Sequence, residues 1–316
     1  MTKSWISYLL LFTLYLLLTA CPSSAGSVVS ASNDALPKEA QTKIAQMPED
    51  ADPALWVIKD EDTTIYLFGT VHILKPGMTW FDEAVKDAFD NSDELVIEMI
   101  APDAAGMAKL IGEIAIDKTG VKLRDKLSAE DRLDYEKALI SLNLPVEAFD
   151  PLEPWFASVN LALLPLMANG YDGNNGVEDT LKSNAKARKL KISGLETAEQ
   201  QLGFFDQLPE DVQIRFLNFT VDTVGELADG MDNMVAEWAN ANVEGLAELM
   251  NAGLEEKILY DTLLANRNAT WAAWVEERMK QPGNVFLAVG AGHLAGADSL
   301  QQKLAARGLV SQRIEY

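Results

Sequence analysis

Two apolar runs, one near each end of the chain, close on the same short motif. Ile65-Tyr-Leu-Phe-Gly-Thr-Val-His72 and Val285-Phe-Leu-Ala-Val-Gly-Ala-Gly-His293 both finish in Gly-x-x-His, and these are the chain's two histidines. An unbroken apolar run of this length reads as a buried strand. A glycine just beyond it lets the backbone turn sharply or pass close to a ligand. A histidine placed there lies at the carboxyl end of its strand, where open α/β sheets carry their sites. Burying both runs in one sheet brings the two motifs near each other.

The rest of the chain fits that arrangement. Leu55–Ile58 and Thr63–Phe68 flank Lys59-Asp-Glu-Asp62 and read as a β-hairpin. A helix is expected from Met78 to about Asn91, and a strand over Asp93–Met99. From Asp103 to about Gln281 the pattern is mostly helical. Ser128 is a good N-cap with acids in the following turn, and Gly170–Gly176 is a turn-rich loop. Leu190–Glu196 interrupts the helices as a short strand. Ile258 to about Lys280 reads as one amphipathic helix, ended by Gln281-Pro-Gly283. Val285–Val289, a helix over Ala295–Arg307 and a strand over Gln312–Tyr316 complete the chain. The fold class is therefore α/β (mixed): a central mixed sheet built from N- and C-terminal strands, with a large helical middle.

The first residues describe a destination. Lys3 precedes a strongly apolar stretch from Ile6 to Leu18, and Leu18-Thr-Ala-Cys21 follows. That is a signal peptide rather than a spanning helix, and the tetrad resembles a bacterial lipobox in which Cys21 becomes the acylated first residue. Cys21 is the one cysteine of the chain, so no disulfide or thiolate chemistry remains. A small, polar stretch then forms a flexible tether. The expected division is signal peptide 1–20, tether 21–53 and one domain over 54–316. This implies a lipid-anchored protein of the bacterial envelope facing the periplasm. Pro22 after the cysteine gives no aspartate-type retention signal, which favours an outer-membrane anchor. A net charge of −22 excludes the basic footprint of nucleic-acid binding.

Four strands end in an ionisable residue: His72, Glu98, Glu196 and His293. If these strands lie parallel, two imidazoles and one or two carboxylates meet at one sheet edge, a ligand set for a divalent metal. Each residue also has a plainer reading. A strand-end histidine is often a hydrogen-bonded surface group, and Glu196 could cap the helix beginning near Thr197. Arg267 and Asn268 could lie on a solvated helix face, while Trp271 and Trp274 fit a core. Glu98 differs, because it sits among apolar neighbours on a strand expected to be central, where burial without a partner is costly. No phosphate loop, Gly-x-Ser-x-Gly elbow or His-Glu-x-x-His motif is present.

With Gly69-Thr-Val-His72, Glu98 and Gly290-Ala-Gly-His293 in view, the chain resembles the TraB/PrgY/GumN family and the related animal Tiki metalloproteases. Further matches are Glu153-Pro-Trp155, Gly176-Val-Glu-Asp-Thr-Leu181, Gly194-Leu-Glu196 with Gln200, and Leu264-Ala-Asn-Arg-Asn268. The resemblance implies a fold similar to the erythromycin-esterase and ChaN-like group. It implies metal-dependent peptide cleavage, with manganese or cobalt ahead of zinc on His72, Glu98 and His293. Glu178, Glu196, Arg267 and Asn268 would stand around that metal, with Gly69, Thr70 and Gly290 of the motifs facing ligand or substrate. In the mechanism it suggests, Glu98 holds the metal, Glu196 or Glu178 takes a proton, and Arg267 steadies an oxyanion or a substrate carboxylate. The implied partners are a peptide or other small substrate, and the membrane through the lipid. Non-catalytic binding of a peptide or of haem is the alternative, and a degenerate scaffold a third reading.

Overall fold

The computed structural model describes residues 49–251 and 256–316. The expected signal peptide, the lipobox-like tetrad with Cys21 and most of the expected tether lie outside them. The last tether residues do not hang free: Ala51 is buried, and Glu49 and Ala51 exchange backbone hydrogen bonds with Thr79 at 2.8 and 2.9 Å. Packing thus begins a few residues before Ala54.

The expected hairpin pairs β1 (Leu55–Lys59) with β2 (Thr63–Thr70). The other strands are β3 (Glu94–Met99), β4 (Lys191–Glu196), β5 (Gly283–Gly290) and β6 (Gln312–Ile314). They form one six-stranded sheet in the order β4-β3-β5-β2-β1-β6. β4, β3, β5 and β2 are mutually parallel, and β1 runs antiparallel between β2 and β6. Central parallel strands are covered on both faces and so read as continuous apolar runs. That is why ELVIEM of β3 is buried at every position.

Side-chain alternation sorts these strands onto two faces. Ile65, Leu67, Val96, Val285, Leu287 and Val289 join Trp271 and Val275 of α10 (Asn266–Arg278) and Leu300 and Leu304 of α11 (Leu300–Ala305). Phe68, Leu95, Ile97, Phe286 and Ala288 face a much larger cluster on the other side. It is built by α1 (Glu83–Asp90), α2 (Ala104–Ile114), α4 (Pro154–Ala168), α5 (Val177–Arg188), α6 (Ala198–Asp206), α7 (Glu210–Thr223), α8 (Leu227–Ala239) and α9 (Val243–Asn251). α3 (Ala129–Ser141) packs with α4 and α7 in a third, smaller cluster. The helical middle is thus inserted between strands that end up adjacent.

Three expected helices change. The first begins at Glu83 rather than Met78, because Thr79 is engaged with the chain near Asp50. The last begins at Leu300, capped by Ser299, after Gly296 takes a left-handed φ of 80°. The long helix over 258–280 is interrupted: residues Asp261–Ala265 form a π-helical turn before α10. Such turns shift the helical register locally and are frequent at functional sites.

The helical middle is tied to the sheet by Trp238 of α8, whose Nε1 donates to the Gly69 carbonyl at 2.8 Å. Its ring meets Trp80 edge-on, with centroids 6.2 Å apart. Trp238→Phe keeps an aromatic ring and removes the hydrogen bond, so stability should fall by about 1 kcal/mol. Trp238→Ala should cost about 3–5 kcal/mol. Urea unfolding of the two variants measures both, and a Trp238→Phe variant as stable as the wild type would rule out a separate contribution from the indole N–H.

Candidate functional site

The four parallel strands deliver their carboxyl ends to one edge. Thr70 of β2 lies opposite Gly290 of β5, and Met99 of β3 lies opposite Glu196 of β4. Glu98 is therefore carried in between two neighbouring strands. Its Oε1 accepts the Gly290 N–H at 2.6 Å, and its Oε2 accepts Arg267 Nη2 at 2.6 Å and Gln201 Nε2 at 3.0 Å. Burial alone would raise its pKa. Arg267 above all, then the nearby histidines and the Gly290 N–H, reverse this and hold it at about 2.

Arg267 stands in the first turn of α10, just after the π turn. Nε and Nη2 grip Glu196 at 2.9 and 2.8 Å in a bidentate fork, and Nη2 also reaches Glu98. Nη1 donates to the Leu263 carbonyl at 3.2 Å and meets His293 Nε2 at 3.1 Å. A guanidinium has five N–H groups, and each has an acceptor. Glu196 is as fully engaged. Its Oε1 accepts Arg267 Nε and Trp271 Nε1 (3.0 Å), and its Oε2 accepts Arg267 Nη2 and Gln201 Nε2 (3.0 Å).

These contacts fix the state of His293. Arginine only donates, so His293 Nε2 is the acceptor and carries a lone pair. Asn268 Nδ2 donates to the carbonyls of His293 (3.2 Å) and Asp298 (2.8 Å), which turns its Oδ1 to His293 Nδ1 at 2.7 Å. Nδ1 therefore bears the proton. Burial and then Arg267 push the imidazole down to about 3, so it is neutral at physiological pH.

His72 is held by the same ring atom and a different partner. Its Nδ1 lies 2.5 Å from Glu178 Oε1, and the Thr70 hydroxyl donates to that same oxygen. Burial would lower the His72 pKa, but the charge and hydrogen bond of Glu178, helped by Glu98, leave it raised. Burial would raise Glu178, and His72 and Thr70 bring it down. Close approach is required here: a Cβ on Gly176, at the start of α5, would fall 2.1 Å from the His72 carbonyl oxygen. A Cβ on Gly69 would meet Ala291 at 3.0 Å, where the two motif loops touch.

The site is layered. Glu98, Arg267 and His293 are 5, 3 and 3% exposed, while the side chains of His72 and Glu178 are 14 and 16% exposed. The mouth is thus on the His72–Glu178 side. Sequence-predicted residues Glu98, Glu196, Arg267, Asn268, Gly290 and His293 form one network, and Thr70, His72 and Glu178 a second one beside it. His293 Nε2 is 3.9 Å from Glu98 Oε1. Among the described residues, the group of carboxylates or imidazoles gathered within 4.8 Å of one another is instead Asp117, Glu153 and Glu210. There Lys126 Nζ already supplies the cation, at 2.5 Å from Asp117 and Glu210.

Two members of the inner network were not legible as such. Gln201 bridges Glu98 and Glu196, and Trp271, assigned to the core, also donates to Glu196. Gln201 had a signal: it shares the buried face of α6 with Ala198, Leu202 and Phe205, where a polar residue needs a partner.

These shifts set how stability depends on pH. The depressed Glu98 contributes stability above its ordinary 4.5 that is lost as pH falls towards 2. His293, depressed from 6.5 to about 3, refuses a proton that the unfolded chain accepts across that window, so stability again falls with pH. His72 acts oppositely: its contribution is full below 6.5 and is lost as pH rises through its raised value. In chelator, the melting temperature of the wild type should fall more steeply between about pH 6.5 and 3 than that of His293→Gln. Parallel slopes would reject the neutral buried assignment.

A model of the TraB/PrgY/gumN family matches residues 54–313. The chain is 23% identical over 253 residues to the uncharacterized protein YbaP of Escherichia coli (strain K12), covering 80% of this chain and 92% of that protein. The Shigella flexneri YbaP matches to the same extent. An uncharacterized protein of Treponema pallidum (strain Nichols) is 22% identical over 262 residues, 78% of each chain. No solved structure matches.

Proposed function

The chain belongs to the TraB/PrgY/gumN family, and on that footing we propose that it is a metal-dependent hydrolase acting on peptide bonds. The observation that carries this reading is the pair of imidazoles, each gripped at Nδ1 by a side-chain oxygen, beside a buried carboxylate. Holding Nδ1 fixes the ring and leaves Nε2 as the ligand atom, which is how metal-ligating histidines are commonly oriented; at His293 that lone pair is taken by Arg267 Nη1 at 3.1 Å, which an ion would displace. The charge supports it too. Glu98, Glu196 and Glu178 are three carboxylates against one guanidinium and the His72 imidazole, so the buried set has an excess of negative charge whether or not His72 holds a second proton.

A divalent ion would be held by His72, Glu98 and His293 once His72 drew closer to the other two and Arg267 released His293 Nε2. A span of 3.9 Å between His293 Nε2 and Glu98 Oε1 suits two ligands that each lie about 2 Å from one ion. Mixed imidazole and carboxylate ligands accommodate manganese or cobalt as well as zinc. When bound, the ion would supply Lewis acidity, lowering the pKa of a water and polarising the scissile carbonyl.

The protein's own groups then divide the work. Glu178 is the carboxylate at the mouth and orients His72, so it is the better proton acceptor. Glu196 is saturated with hydrogen bonds and anchors Arg267. Arg267, with every N–H engaged, holds Glu98, Glu196 and His293 in place; reaching a substrate oxyanion would require it to release one of them. The signal peptide 1–20 and a lipid on Cys21 would place this site on the periplasmic side of the envelope.

Purified protein loaded with manganese or cobalt should cleave unstructured peptides, and His72→Ala, Glu98→Ala and His293→Ala should lose both activity and stoichiometric metal. Glu178→Gln should weaken metal binding about 10–100-fold, read by competition with a chelating dye. Cleavage by the histidine variants at the wild-type rate would defeat the mechanism. Metal uptake without cleavage of any peptide would leave a binding protein.

A further inference from the structure

The sheet has two free edges, β6 and β4, and β4 leads to the site, ending at Glu196. One side of β4 pairs with β3. Residues 191–196 make no backbone hydrogen bond to any other described element. Natural sheets commonly guard such an edge with a charged side chain or a covering segment. Here Lys191 is drawn back to Glu94 at 3.0 Å. Gly194, in mid-strand, is exposed and has no side chain to shield its peptide groups. A Cβ there would meet the Ile100 nitrogen at 3.1 Å and the Glu196 oxygen at 3.0 Å, so a side chain would crowd the backbone at the strand end.

The surroundings of this edge indicate what it receives. A cleft of about 420 Å³ opens at the start of β4, lined by Lys191, Trp274 and Arg278 and also by Asp93, Glu94 and Glu277, whose carboxylates are held by the Asn284 N–H, by Arg278 and Lys191, and by Lys280. Leu195 and Trp274 lie half-buried on the same face of the sheet. In a chain of net charge −22, residues 182–191 carry Lys182, Lys186, Arg188, Lys189 and Lys191 and no acid. Lys182, Arg188 and Lys191 are paired with Asp179, Asp90 and Glu94. Lys186 and Lys189 are exposed and have no ion-pair partner among the described residues.

We infer that the free edge of β4 is the docking strand for an extended, acidic peptide, which adds to the sheet beside Lys191–Glu196 and runs towards the carboxyl-end edge on which the site lies. Strand addition takes its affinity from main-chain hydrogen bonds and its selectivity from alternate side chains. The unpaired Lys186 and Lys189 select for acid, and the apolar surface of Leu195 and Trp274 receives every second side chain. At about 3.3 Å per residue, the acidic group sits roughly five or six residues from the amide presented at Glu196. This rests on the peptidase reading for what happens at the end of the strand; binding along the strand does not depend on it.

The probe is a fluorescent peptide of about ten residues, two aspartates joined to alternating threonine and valine, made with the acids at either end. Binding to the full-length protein in chelator is read by anisotropy. One orientation should bind, and Lys186→Glu/Lys189→Glu should weaken it about tenfold, less so at high salt. N-methylation of every second backbone amide should weaken binding about fivefold per lost hydrogen bond, with the intervening amides indifferent. Failure of both probes to bind, an N-methyl profile without alternation, or an edge-to-edge dimer of the protein that the probe does not disrupt would each overturn the docking strand. If the probe binds with alternation but no metal supports its cleavage, the hydrolase reading fails and the docking strand stands. If peptides are cleaved with no sensitivity to N-methylation away from the scissile bond, the reverse holds.

Discussion

The Arg267 guanidinium is the interaction on which the rest of the site depends. Two carboxylates cannot both stay ionised beside each other in a protein interior without a cation, because desolvation of each costs several kcal/mol. Arg267 meets that requirement with a bidentate grip on Glu196 and a second bond to Glu98. Its remaining nitrogen serves the Leu263 carbonyl and His293 Nε2. One side chain thereby joins β3, β4, α10 and the loop after β5. Gln201 closes the arrangement by donating to both carboxylates. Such a network is stable only when nearly complete, since a buried group left without its partner is more costly than the bond it lost.

That requirement explains why the chain is ordered as it is. Glu98 must sit between β5 and β4, so β3 has to be inserted next to strands distant from it in sequence. The connections between parallel strands are crossovers, and the helical middle supplies them. It also contributes directly: α5 presents Glu178 to His72, α6 presents Gln201, and Trp238 of α8 fastens the Gly69 carbonyl. The π turn at Asp261–Ala265 lies immediately before Arg267 and Asn268, the two adjacent residues that must face His293 and the carboxylates together.

Much of this was written in the sequence where one residue's environment is unambiguous. Glu98 lies in a strand with no polar face, so burial and a partner were both implied. The two Gly-x-x-His runs predicted neighbouring strand ends, and β2 and β5 do pair in parallel up to Thr70 and Gly290. What could not be read was which acid takes which partner. Glu178 and Glu196 each stand two residues after a glycine, yet Glu178 goes to a histidine and Glu196 to Arg267, a choice made by the crossing of helices. The π turn was hidden because its residues keep an apolar face that is also compatible with a continuous helix. Trp271 has the periodicity of a core residue and is one; its indole N–H adds a second role that periodicity does not encode.

The two histidines begin from the same motif and finish in opposite electrostatic settings, and the difference lies in the atom at Nδ1. An asparagine amide can accept a hydrogen bond from His293 but does little to stabilise an imidazolium, and Arg267 beside it opposes a second positive charge. A carboxylate at His72 stabilises the charged ring directly. The result is a polarity through the site: a lone pair at its buried floor, and a proton-holding pair at its mouth. Because the floor is locked by hydrogen bonds in every direction, chemistry that requires a proton to move has one place to begin, at His72 and Glu178.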